Sequence, residues 1–202
     1  MHACAVLLVC QAAEAADDDP EPPAERRSGF VLSVVGGGSM GRAAGNPSAQ
    51  AERYDPAHHA STGLAMGYRV TPYLGGALTD WFTFGLGGSY ANLYTSSLRS
   101  TLGLFIFRID VFPLYRRGSV WRDLAVNLEF GAGATSIVKT DREDQIASSG
   151  VASTIGAGVF WEAWRLGHIA LGPSLSYQRN WSDWFTRDDV TLGLKTTFYG
   201  GP

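Results

Sequence analysis

Residues 190–199, VTLGLKTTFY, alternate two kinds of side chain without a break. In an extended chain successive side chains point to opposite faces. Val190, Leu192, Leu194, Thr196 and Phe198 therefore share one face, and Thr191, Gly193, Lys195, Thr197 and Tyr199 share the other. The first face is apolar, whereas the second mixes small, polar and charged groups. A water-soluble sheet would need a second apolar layer to cover the first face, and the rest of the sequence offers none. A strand with lipid on one side and a tight polar interior on the other accounts for the pattern directly.

Composition agrees. The chain has 202 residues, 25 glycines and 17% charged residues, which suits one domain of close-packed strands and turns better than a helical one. No run of 18 apolar residues is present, so a membrane role must come from strands rather than from a spanning helix. The formal charge of -3 is small and the basic residues are scattered, which excludes the cationic stripe of a nucleic-acid binder.

The amino-terminal stretch divides in two. Residues 1–15 hold both cysteines, Cys4 and Cys10, around an apolar run, and end in Ala13-Glu14-Ala15, the small-x-small pattern of a secretory cleavage site. A lipid anchor on Cys10 is disfavoured because Val9 stands where a small residue is wanted. Cleavage would leave a mature chain without thiol chemistry. Residues 16–28 are acidic and proline-rich, and predict a flexible tether ahead of a barrel spanning 29–202.

From Phe30 onward the chain reads as strand candidates separated by turn chemistry. The first covers 29–37, with Phe30, Leu32 and Val34 outward. The second, 63–74, sets Leu64, Met66, Tyr68 and Val70 against Gly63, Ala65, Gly67, Arg69 and Thr71. After a turn at Thr79-Asp80, Phe82, Phe84, Leu86 and Tyr90 oppose Thr83, Gly85, Gly87 and Ser89. The fourth, 98–112, is apolar at nearly every position: placing Phe105, Phe107, Ile109 and Val111 outward sends Arg108 and Asp110 inward, but also Leu102, Leu104 and Ile106, unless a bulge shifts the register. The fifth sets Leu124, Val126, Leu128 and Phe130 against Asn127 and Glu129; the sixth sets Ile155, Val159 and Trp161 against Thr154 and Glu162; the seventh sets Ile169, Leu171, Leu175 and Tyr177 against His168, Ser174, Ser176 and Gln178. With the closing strand the count is about eight, and the expected fold is an all-β, antiparallel up-and-down transmembrane β-barrel. Pro72 and Pro173 interrupt this ladder, and each should produce a bulge or a lost bond, because a closed barrel has no edge strand.

The connections predict long polar loops at 39–62, 139–149 and 180–189 at one end and mostly shorter turns at the other. Trp81, Trp121 and Trp164 then gather at the short-turn end with Phe198 and Tyr199, while Tyr90, Tyr94, Trp181, Trp184 and Phe185 gather at the long-loop end, as two aromatic belts at the membrane interfaces would. The inward charges Arg69, Arg108, Asp110, Glu129, Glu162 and Lys195 balance as three of each sign, as a closed low-dielectric lumen requires.

The closing stretch resembles the last strand of Gram-negative outer-membrane β-barrels, where a polar residue, a glycine two on and alternating apolar positions ending in an aromatic are recognised by the barrel-assembly machinery. Thr191, Gly193, Thr196 and Phe198 occupy those positions, with a threonine where the family prefers an apolar residue and Gly200, Gly201 and Pro202 beyond the aromatic. From Phe30 to Phe198 the chain is similar to the small barrels of the OmpA/OmpX-like type. That resemblance implies the fold, an outer-membrane location, outer-membrane lipid and the assembly machinery as partners, and no cofactor. It implies no ligand or loop-binding partner.

Three function classes compete. A barrel of about eight strands has an interior that side chains fill, which favours a membrane anchor presenting surface loops, with at most small conductance. A lipid-modifying barrel enzyme would need a site, and His168 with Ser174 or Ser176 is the one set to name. A soluble lipocalin-like carrier would reverse the faces, with an apolar cavity inside. His58-His59 lacks a third metal ligand, and Gly36-Gly37-Gly38 lacks the lysine and following helix of a phosphate loop and reads as relief of crowding at the end of the first strand.

Overall fold

A computed structural model describes residues 26–117, 120–141 and 144–201. The expected signal segment, residues 16–25 of the expected tether, and Pro202 lie outside the described residues. The strands are β1 (Gly29–Gly45), β2 (Ala60–Ser61), β3 (Ala65–Thr79), β4 (Phe82–Tyr94), β5 (Leu98–Val111), β6 (Leu124–Lys139), β7 (Gln145–Ser148), β8 (Ala152–Trp161), β9 (Trp164–Leu166), β10 (Ile169–Ser182) and β11 (Phe185–Tyr199). Eight of them, β1, β3, β4, β5, β6, β8, β10 and β11, form an antiparallel ring in which β11 pairs with both β10 and β1. The short strands extend it: β2 pairs with β1, while β7 and β9 prolong β8 in both directions, along β6 and β10. The end that carries Gly29 and Tyr199 is here the terminal end, and the opposite one the loop end.

The two faces sort as alternation dictates. Phe30, Leu32, Val34, Val70, Leu74, Leu86, Phe105, Leu128, Leu192 and Leu194 point outward and are exposed, while Arg69, Thr71, Arg108, Asp110, Asn127, Glu129, Lys195 and Thr197 point inward and are buried. An apolar exterior running round a whole barrel far exceeds the patch a soluble monomer tolerates. A lipocalin-like carrier requires the opposite arrangement, so these faces overturn that alternative.

Glycines line the seam where the ring closes. Gly37 on β1 and Gly193 on β11 are register partners, and a Cβ at Gly193 would lie 2.1 Å from the Gly36 carbonyl oxygen. The strands approach at the seam as only glycine permits. This gives Gly37 its reason, whereas a Cβ would fit at Gly36 and Gly38, and β1 continues past the run to Gly45 instead of entering a loop.

The apolar fourth strand candidate needs no bulge. The register of β5 with β4 and with β6 runs unbroken, so Leu102, Leu104 and Ile106 do face inward. They pack with Ala91 as an apolar patch on one wall. Space for them comes from Gly131 and Gly133 on β6, where a Cβ would lie 3.2 Å from Ile106 Cγ2 and 2.8 Å from Leu104 Cδ2. The prolines act as expected. Pairing of β3 with β4 skips Thr71 and Pro72, and pairing along β10 breaks at Pro173, where the register changes by one residue between Leu171↔Trp164 and Ser174↔Phe160.

The expected loop asymmetry is corrected. Much of 139–149 is strand β7, and β10 and β11 run through 180–189 to meet at a turn of Asp183 and Trp184. Asn180, Arg187 and Asp189 of the second stretch fill the lumen, whereas Asp141, Asp144 and Gln145 of the first stay exposed. The long connections are 46–64 at the loop end and 112–123 at the terminal end.

Candidate functional site in the barrel lumen

All six charged residues expected inside are buried there, but at three heights rather than as one network. Arg108, Asp110, Glu129 and Lys195 form the middle tier. Asp110 accepts from Arg108 Nε at 2.8 Å, from Lys195 Nζ at 2.7 Å and from the Tyr73 hydroxyl at 2.9 Å. Arg108 Nη1 donates to Glu129 Oε1 at 2.5 Å, and Lys195 Nζ lies 3.3 Å from the centroid of the Phe160 ring. Two cations face two anions, and the ring adds a cation–π contact in place of a further acceptor. Inward positions on β5, β6 and β11 bring these groups together, Arg108 and Glu129 as register neighbours and Lys195 from across the lumen.

Glu162 lies instead at the terminal end, on the irregular stretch between β8 and β9 that the break at Pro173 creates. Its Oε2 accepts from Arg27 Nε at 3.1 Å and Nη2 at 3.0 Å and from Arg165 Nη2 at 3.0 Å, and the Tyr199 hydroxyl donates to its Oε1. Arg27 Nη2 also donates to Asp123 Oδ1 at 2.6 Å, and the guanidinium stacks 3.5 Å from the centroid of Phe112. Burial works against the charge on Arg27, and Glu162, Tyr199 and Asp123 more than offset it, so its pKa lies above the ordinary value. The backbone N–H groups of Arg26 and Arg27 both donate to Asp80 Oδ1 at 2.7 Å. Arg26 to Ser28, the last three residues of the expected tether, are therefore tied to the barrel. Phe112, Ala125 and Phe160 pack beneath them and close this end.

Arg69 belongs to a third tier near the loop end, with Arg187 and Asp189, which the sequence reading had placed in a loop. Arg69 Nη1 donates to Gln178 Oε1 at 2.8 Å and lies 3.3 Å from Asp189 Oδ1, while Nη2 donates to Ser176 Oγ. Arg187 Nε donates to Asp189 Oδ2 at 3.3 Å, and Nη1 reaches Ser100 on the opposite wall at 3.2 Å. Above this tier Ala43, Ile137, Ala147 and Phe185 form an apolar cap, flanked by Trp184. The connection 46–64 folds against the cap: Asn46 Nδ2 donates to the Asp55 carbonyl at 3.0 Å, and Arg53 stacks 3.8 Å from the Trp184 ring.

The aromatics divide. Trp81, Trp121 and Trp164 are exposed at the terminal end, and Tyr90, Tyr94 and Trp181 are exposed near the loop end. Trp184 is not among the outward group, because its Nε1 donates to the Ser148 carbonyl at 2.8 Å within the cap. Phe185 and Tyr199 likewise point inward and are buried. Of the closing-strand residues, Thr191 faces the lumen, Gly193 forms the seam, and Thr196 and Phe198 face outward.

The hydrolytic set does not assemble. His168 lies exposed in the turn before β10, its ring 6.0 Å from that of the outward Phe198, while Ser174 and Ser176 are inside and Ser176 is held by Arg69. Of the loop histidines, His58 Nδ1 lies 3.3 Å from Asp55, whereas His59 Nδ1 bonds Asn46 Oδ1 at 2.9 Å. The described residues contain no group of three or more metal-ligating side chains.

No family model matches the chain, and no curated protein matches it in sequence. Solved structures do match in fold. The crystal structure of Neisserial surface protein A superposes with a TM-score of 0.52 at 11% identity, covering 84% of this chain and 96% of that one. Ail, the attachment invasion locus protein of Yersinia pestis, gives 0.49 at 12% identity over 83% and 98%. The fold is that of the small outer-membrane β-barrels.

Proposed function

We propose that this barrel is an outer-membrane anchor that works through its exposed surface and not as a channel. The supporting observation is that the lumen is stoppered twice, by Arg27 over the Phe112–Phe160 layer at the terminal end and by the Phe185–Trp184 cap at the loop end, with ion pairs between. An eight-stranded barrel has an interior that side chains largely fill, and here Arg108, Asp110, Glu129 and Lys195 bridge it at mid-height. In this reading residues 1–15 direct export, Thr191, Gly193, Thr196 and Phe198 are presented to the barrel-assembly machinery, and the apolar exterior meets outer-membrane lipid. Trp81, Trp121, Trp164, Tyr90, Tyr94 and Trp181 lie at the two headgroup levels. The segment 46–64, the long connection at the loop end, is the surface offered to a partner. The protein acts without catalysis or cofactor.

Fractionation tests the location. The mature chain should sediment with outer membrane, resist carbonate and high salt, and change gel mobility on boiling; recovery in a detergent-free soluble periplasmic fraction would refute the proposal. Planar bilayers test the rest, since reproducible solute-sized pores from the purified protein would contradict a stoppered lumen.

A further inference from the structure

The middle tier of the lumen balances its charges, with Arg108 and Lys195 against Asp110 and Glu129. The tier near the loop end does not. Among the described residues Arg69 and Arg187 share Asp189, leaving one positive charge in excess in groups that are fully or nearly fully buried. An uncompensated buried charge is strongly unfavourable.

The same place carries unpartnered donors. Arg187 Nη2, Gln178 Nε2 and Asn180 Nδ2 are all buried without a hydrogen-bond partner among the described residues, and each residue is 0% exposed. Their orientation is set by what their other atoms do. Gln178 Oε1 accepts from Arg69 and Asn180 Oδ1 accepts from Thr154 Oγ1, which fixes the amide nitrogens as the free ends. Arg187 is held by Asp189 and Ser100, which leaves Nη2 over. The three are also neighbours. Asn180 and Arg187 are register partners across β10 and β11, and Gln178 lies two residues along the same inward face. Arg187 extends from β11 across the lumen to Ser100 at this level, so excess positive charge and free N–H groups face one cross-section of the lumen, and these are the two halves of an anion site.

We propose that this patch binds a small monovalent anion, a halide or a compact oxyanion, held between Arg187 Nη2 and the side-chain amides of Gln178 and Asn180. One negative charge completes the tier, and the three donors satisfy it in place of its hydration shell. The ligand is structural, taken up as the barrel closes, because both ends are stoppered. The inference concerns the lumen and does not depend on what the exposed surface binds.

The test is to refold the purified full chain in detergent micelles at one ionic strength, with sodium chloride progressively replacing sodium gluconate, whose anion is too large for the patch. The melting temperature should rise with chloride and level off. Asn180→Asp keeps the acceptor for Thr154 and puts a carboxylate beside Arg187, so it should melt higher than the parent in gluconate and lose the response to chloride. Arg187→Met, if it folds, should lose the response as well. Crystals grown in bromide should show an anomalous peak beside Arg187. Equal melting in the two salts, an unaltered chloride response in Asn180→Asp, or a lumen holding water without bromide would each overturn the proposal.

Discussion

Asp110→Ala is the most informative single perturbation of the middle tier. Its carboxylate receives Arg108 Nε, Lys195 Nζ and the Tyr73 hydroxyl within 2.9 Å, with Thr83 Oγ1 at 3.4 Å. Without it Arg108 keeps Glu129, but Lys195 loses the one carboxylate it contacts among the described residues and is left with the Phe160 ring. Breaking a buried pair from one side costs roughly 3–5 kcal/mol, mainly through the charge left behind. Glu129→Ala removes one of two carboxylates from Arg108 and should cost about 1.5–3 kcal/mol, the range for a hydrogen bond to a charged group. Adding Lys195→Met to Asp110→Ala removes the stranded ammonium, so the double variant should be more stable than the sum of the singles by about 0.5–3 kcal/mol. Urea unfolding in micelles, followed by tryptophan fluorescence and gel mobility, measures each value against exposed Asp141→Ala, expected to change stability by less than about 0.5 kcal/mol. Asp110→Ala no worse than Asp141→Ala, or strict additivity in the double variant, would refute the ion-paired lumen.

Arg27→Ala takes one of two cations from each of Glu162 and Asp123, which keep Arg165 and Arg26, and should cost about 1.5–3 kcal/mol, with limited proteolysis cutting near Ser28 faster than in the parent. Gly193→Val places a branched side chain where a single Cβ already meets Gly36 oxygen at 2.1 Å; the barrel should fail to close and lose its heat-dependent gel shift, whereas Thr196→Val, on the exposed face, should keep it. Trp184→Ala removes the ring under Arg53 and the bond to Ser148, so segment 46–64 should become protease-sensitive while the melting temperature of the barrel changes little. A cut rate equal to that of the parent would show that the segment is held by other contacts.

The strand order, the inward and outward faces, and even the uncomfortable placing of Leu102, Leu104 and Ile106 follow from alternation, because period two survives whatever the strand packs against. What alternation alone does not reveal is where a strand stops. Phe185, Arg187, Asp189 and Thr191 continue the inward parity of Gly193, Lys195, Thr197 and Tyr199, yet the run WSDWFTRDDV contains the residue types that also make loops. In a barrel the lumen is as polar as a turn, so composition cannot separate the two, and extending the parity backward from Thr191 is the signal that would have found Arg187 and Asp189. Arg27 offers no such signal. It precedes the first alternating residue, and only the three-dimensional meeting of Asp80, Asp123 and Glu162 gives it a role.

Those two omissions concern the same physical problem from opposite ends. A ring of eight strands buries a column of polar wall that no water column can solvate fully, so each inward charge needs a partner, found on its own strand (Arg108–Asp110), on the next one (Arg108–Glu129) or across the ring (Lys195–Asp110). Glu162 is matched by a residue that precedes the barrel, and Asp110 by residues on β5 and β11. Lys195 on β11 and Asp110 on β5 stand half the ring apart, so their pairing across the lumen forms only as the sheet curls shut at the seam between β1 and β11. The lumen charges therefore favour the closed barrel over any open sheet, and their contribution is felt in the last step of folding. That step is also the one at which Gly37 and Gly193 must meet. Substitutions at the seam and in the middle tier should accordingly slow the appearance of the heat-resistant band during refolding while leaving the earlier gain of β-structure, followed by circular dichroism, at the parental rate. Equal slowing of both signals would place the ion pairs earlier in folding than closure requires.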